Sequence, residues 1–85
     1  MEYRYLTSGT CSRAINIRIN PETHCIEGVS FEGGCHGNLQ GIGRLVEGMT
    51  AENVIARLSG VRCGNKPTSC PDQLARALKQ ILDSE

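Results

Sequence analysis

The sequence predicts an α+β fold: a three-stranded antiparallel meander followed by three helices packed on one sheet face. Two observations predict it. The first third of the chain alternates apolar and polar residues with period two, and the rest changes to helical spacing. The strand segments are also joined by connections too short for a crossover helix, which makes their pairing antiparallel.

In the first strand, Tyr3, Tyr5 and Thr7 alternate with Glu2, Arg4 and Leu6, and the pattern ends at Gly9. Ile15, Ile17 and Ile19 alternate with Asn16, Arg18 and Asn20, the clearest period-two signal in the chain. Asn20-Pro21-Glu22-Thr23 supplies a turn, because Pro presets one turn dihedral and Asn bonds nearby backbone. A third strand is expected from Cys25 to Glu32, with Val29 and Phe31 facing inward. Ile26 falls out of that register, so Gly28 is expected to mark a bulge.

Leu39, Ile42, Leu45 and Val46 then recur at helical spacing, with Asn38 expected as N-cap and Gly48 as the stop. Gly41 and Gly43 each weaken this helix by about 1 kcal/mol relative to Ala, so close approach of another backbone is expected there. Thr50 caps a second helix that buries Val54, Ile55 and Leu58 and closes at Gly60. The last helix opens at Thr68-Ser69-Cys70-Pro71-Asp72, with Cys70 expected as N-cap, Pro71 in the first helical position and Asp72 at the positive end of the dipole. Leu74, Leu78, Ile81 and Leu82 form its apolar stripe, while Arg76, Lys79 and Asp83 face water.

Residues 1–85 read as one domain, because two cores in so short a chain would each be too small to stabilise themselves. With one Phe, two Tyr and no Trp, the core must be aliphatic. Nine Lys and Arg balance nine Asp and Glu, and the basic residues are scattered, which argues against a general electrostatic grip on DNA or RNA. Met1-Glu2-Tyr3-Arg4-Tyr5 opens no apolar run of signal-peptide length, and no stretch approaches the roughly twenty apolar residues of a membrane span. The expected location is the cytoplasm, with no membrane partner.

Five cysteines are many for a reducing compartment, and an odd number leaves at least one unpaired. Gly33-Gly34-Cys35-His36-Gly37-Asn38 lies between the third strand and the first helix. Its glycines let several amides point at one spot, and a helix start favours thiolate at Cys35. The same amides of Gly33, Gly34, Gly37 and Asn38 suit a phosphate group, so a nucleotide or flavin is a second candidate ligand there. The plainer reading is a tight connection with a buried cysteine. Cys63 and Cys70 stand seven positions apart across a Gly/Pro loop, and Lys66 lies between them. Cys11, in the Gly9-Thr10-Cys11-Ser12 bend, joins them if that end of the sheet faces the helix starts. Cys25 at a strand start reads as a packing residue. His36 is a possible ligand or proton carrier beside Cys35.

Thr68-Ser69-Cys70-Pro71-Asp72 with Gln73-Leu74 resembles the signature that names the TSCPD domain family. Phe31-x-Gly33-Gly34-Cys35-x-Gly37-Asn38, Leu45-Val46-Glu47-Gly48-Met49, Cys63-Gly64 and Ser8-Gly9-x-Cys11-Ser12 resemble its small stand-alone, four-cysteine members. A related domain forms the C-terminus of adenosylcobalamin-dependent ribonucleotide reductases, as a zinc-binding or cysteine-bearing appendage. The resemblance implies a four-cysteine set of Cys11, Cys35, Cys63 and Cys70, with Cys25 outside it. It also implies an accessory role beside a ribonucleotide reductase or another redox protein. Eighty-five residues are too few for a complete ribonucleoside-diphosphate reductase, so catalysis is not implied.

The leading expectation is therefore a zinc site of four thiolates, with His36 as substitute ligand. One alternative is a dithiol redox module in which Cys63 and Cys70 cycle between thiol and disulfide. The other is the phosphate-binding module at Gly33 to Asn38, for which a homodimer would supply the second wall.

Overall fold

A computed structural model describes residues 1–10, 12–34 and 36–84, and His36 by its backbone alone. Three strands, β1 (Glu2–Leu6), β2 (Ser12–Ile19) and β3 (Ile26–Gly33), precede three helices, α1 (His36–Val46), α2 (Ala51–Leu58) and α3 (Cys70–Asp83). The sheet order is β1-β2-β3 with both pairings antiparallel, so the expected α+β meander is what forms.

The strand alternation sorts side chains as period two requires. Tyr3 and Tyr5 pair with Ile17 and Ile15, which pair in turn with Val29 and Phe31. These residues face the helices. Ile15, Ile17, Ile19 and Ile26 join Val46, Val54, Leu74, Leu78 and Ile81 in one core cluster. The opposite face is polar. Arg4 reaches across it to Glu32 through two hydrogen bonds of 2.8 and 2.9 Å, and Asn16 donates to the same carboxylate at 3.0 Å. The Arg4 hydrogen bond, followed by that of Asn16, holds the Glu32 carboxyl down at about 2.

Ile26 regains the inner face through a bulge. Arg18 pairs with Gly28 and Ile19 with Ile26, which leaves Glu27 as the extra residue beside the expected Gly28. The strand itself starts one residue later than expected. Cys25 instead makes an isolated bridge to Thr50, flanked by bonds from Ile26 N to Met49 O and from Ala51 N to His24 O, both 2.8 Å. Asn20 organises the preceding turn as its chemistry predicts, its Oδ1 accepting from the amides of Glu22 and Thr23 at 2.9 and 3.2 Å.

Helix α1 starts at His36, two residues ahead of the expected cap at Asn38. Gly33 and Gly34 are the reason: both have positive φ, 80° and 81°, a conformation cheap only for glycine, and together they complete the reversal early. The close approach expected of α1 occurs at Gly43, where an added Cβ would stand 2.6 Å from the Val29 carbonyl oxygen; at Gly41 it would meet nothing within 4 Å. Helix α1 thus lies against β3, while α2 packs on α3. Thr50 caps α2 through its side chain, which accepts from Asn53 N at 3.3 Å. Among the described residues no helix is long and apolar enough to cross a membrane.

Candidate functional site around the start of the last helix

Ser69, not Cys70, is the N-cap of α3: its Oγ accepts from Asp72 N at 3.1 Å. Cys70 therefore occupies the first helical position and Pro71 the second, where a missing N–H costs no intrahelical bond. The serine hydroxyl is the better acceptor for an orphan amide, so it takes the cap and frees the neighbouring sulfur for other contacts. Ser69 Oγ also donates to Val61 O at 2.6 Å, which ties the loop after α2 to the helix start.

The other polar residues around Cys70 are buried and paired. Asp72 is 3% exposed and Gln73 1%. Asp72 Oδ1 accepts from Gly60 N at 2.7 Å, and Oδ2 accepts from the Thr68 hydroxyl and from Arg76 Nε, the latter at 3.0 Å. Burial alone would raise the Asp72 carboxyl. The hydrogen bonds from Thr68 and Gly60, with the Arg76 charge, outweigh it and hold the group below the usual carboxylate range. Gln73 donates from Nε2 to Thr68 Oγ1 at 3.0 Å and accepts from Ser8 N at 3.2 Å. Every buried side-chain N or O atom among the described residues has a partner. Thr68, Ser69, Asp72 and Gln73 thus form a rigid frame that joins the end of α2, the start of α3 and the β1–β2 connection.

Cys70 sits in that frame at 7% exposure, its Sγ 3.2 Å from Ser12 Oγ. Ser12 opens β2 and pairs with Gly33, the last residue of β3. Gly9 approaches Thr68 so closely that an added Cβ would stand 3.2 Å from Thr68 Cγ2. The loop carrying Cys63 folds back on the same place. Lys66 N bonds to Cys63 O at 3.0 Å, and Cys63 N to Thr68 O at 3.2 Å. Cys63 is exposed, and so is Lys66. No disulfide joins Cys25, Cys63 or Cys70 to one another.

Of the other expected site residues, Cys11 and Cys35 lie outside the described residues, as does the side chain of His36. Gly33 ends β3 and Gly34 follows it, while Gly37 and Asn38 are exposed in the first turn of α1. Cys25 is half-buried, with only a weak 4.0 Å contact from its Sγ to Ile26 O. Among the described residues no three His, Cys, Asp or Glu side chains are grouped to hold a metal ion.

Sequence reasoning missed Ser12, Asp72 and Gln73 as parts of this site. It placed Asp72 at the helix dipole, yet the carboxylate is also a buried bonding hub. A signal existed only for Gln73, which stands four residues before Ala77 on the buried side of the helix; Asp72 shares the face of Arg76, Lys79 and Asp83, so periodicity alone places it in solvent.

The family model of the TSCPD domain matches residues 1–82, so the chain belongs to that family. Comparison with curated proteins and with solved structures returns no match.

Proposed function

We propose that this TSCPD domain is a zinc-stapled accessory domain in which Cys11, Cys35, Cys63 and Cys70 hold one ion, acting in association with ribonucleotide reduction. One observation carries the reading: the chain segments bearing these cysteines meet at the start of α3. Cys70 Sγ lies 3.2 Å from the hydroxyl of Ser12, the residue after Cys11. Ser12 pairs with Gly33, two residues before Cys35, and the Cys63 amide bonds to Thr68, two residues before Cys70. Ser12 and Gly33, the described residues that pair at this corner, are one and two positions along the chain from Cys11 and Cys35.

The donor chemistry fits the ion. Thiolates select zinc and other soft metals over magnesium or calcium. Four of them close a tetrahedral shell and leave no open catalytic position, so zinc would supply a cross-link rather than a reaction. It would tie the β1–β2 connection, the β3–α1 turn and the Cys63–Cys70 loop into one body. A chain of 85 residues with an aliphatic core gains much from such a staple, because metal binding adds directly to folding free energy. The partner class, a ribonucleotide reductase or another redox protein, follows from the family resemblance.

Metal analysis of protein purified without chelators tests the reading. About one zinc per chain is expected, with chelation exposing four thiols and lowering the melting temperature together. Fewer than about 0.1 zinc or iron per chain would overturn it, because thiolate-rich sites do not empty easily. An intact mass lower by two hydrogens, without metal, would point instead to a Cys63–Cys70 redox pair.

A further inference from the structure

We propose that Ser12 is a positioning residue for the Cys70 sulfur, its hydroxyl donating a hydrogen bond to the thiolate when Cys70 ligates a metal. The inference rests on the zinc reading above. Ser12 is 5% exposed and Cys70 7%, so bulk water does not substitute for this contact. With the thiol protonated, Cys70 donates and Ser12 accepts at 3.2 Å. A metal-bound thiolate has no proton to give, so the direction reverses and the serine becomes the donor.

The neighbouring hydroxyls permit that reversal. Thr7 Oγ1 donates to the Ser12 carbonyl at 2.6 Å, so its proton is committed to the backbone. Beside the protonated thiol, Ser12 Oγ donates to Thr7 Oγ1 at 3.5 Å, a long bond that its proton leaves for the nearer thiolate sulfur, 3.2 Å away. Thr10 Oγ1 lies 3.1 Å from Ser12 Oγ and can donate to it. The result is a relay from Thr10 to Ser12 to Cys70, in which each donated bond strengthens the next. Ser12 is itself held by its pairing with Gly33, so the relay aims at the sulfur from a fixed strand end. A bond of this kind orients the ligating atom and withdraws part of its charge.

Zinc and cobalt(II) affinities of the full chain, measured by competition with a chromophoric chelator, test the role alongside the sulfur-to-cobalt charge-transfer band. Loss of an outer-sphere partner typically weakens metal binding about 10–100-fold, and that loss is expected for Ser12→Ala. Its band should move to lower energy, because a sulfur without the hydrogen bond gives up electron density more easily. Ser12→Thr, which keeps the hydroxyl, should restore the band position. Thr7→Val removes the bond to the Ser12 carbonyl and the long 3.5 Å contact with its hydroxyl but leaves that hydroxyl's proton for the sulfur, so its band should match wild type. Ser12→Ala with affinity within about twofold of wild type and an unmoved band would overturn the role of Ser12 alone, since outer-sphere losses are normally larger. Equal losses in Ser12→Ala and Thr7→Val with unmoved bands would overturn it too, as the mark of a merely structural residue. A wild-type chain that binds neither metal would overturn the zinc reading and this inference with it.

Discussion

Exchanging Gly43 for Ala should destabilise the domain relative to the same exchange at Gly41, two residues away on the same helix. Both exchanges gain the roughly 1 kcal/mol by which Ala exceeds Gly in a helix interior. They differ in what the new methyl meets. At Gly41 it enters open space, whereas at Gly43 it would stand 2.6 Å from the Val29 carbonyl oxygen. Carbon and carbonyl oxygen ordinarily approach no closer than about 3.3 Å, so α1 or β3 must give by roughly 0.7 Å. Overpacking of this kind costs about 1–3 kcal/mol. Because the propensity gain cancels between the variants, their difference reports the steric cost alone. In a domain of this size each kcal/mol moves the melting temperature by about 4–8 °C, so Gly43→Ala should melt well below Gly41→Ala. Urea and thermal unfolding of both proteins, in the same metal state, measure the gap. Equal stability, or a more stable Gly43→Ala, would refute the claim that Gly43 exists to seat α1 on β3.

Asp72→Asn should cost about 1.5–3 kcal/mol at neutral pH, the worth of hydrogen bonds to a charged group. Asp72 has its folded pKa depressed, so its contribution is complete above the unfolded value of about 3.9 and is lost as pH falls through the folded value below that. Urea unfolding of wild type and variant should therefore show a gap that narrows in acid; a gap independent of pH would contradict the carboxylate hub. Cys25→Ser should change stability by only about 1 kcal/mol and leave zinc content intact, whereas loss of metal would place Cys25 among the ligands. Side-chain NMR should find the Glu32 carboxyl titrating at about 2. Arg4→Met should return it toward the ordinary value of about 4.3.

Much of the fold was legible because its signals are local. The Ile15, Ile17, Ile19 alternation, the cap at Thr50 and the left-handed Gly60 just past the C-cap Ser59 are each complete within a few residues, and they appear where period and capping chemistry put them. The helix starts were less legible. Asn38 is a good cap by type, but the two left-handed glycines ahead of it turn the chain sooner. At α3, Ser69 and Cys70 are adjacent, and only hydrogen-bond geometry decides that the serine takes the cap.

By itself the sequence determined the fold class, the order of elements and the family, because period, turn residues and motif spacing are properties of neighbouring residues. Tertiary structure decided what those residues do for one another. Ser12 and Cys70 are 58 positions apart, and Ser8 and Gln73 are 65. Their contacts exist only because β2 pairs with β3 while the frame of Thr68, Asp72 and Gln73 docks α3 beside the strand end. A cap or an alternation can be read from a few adjacent side chains. A buried polar network closes only when distant segments bring complementary donors and acceptors within about 3 Å.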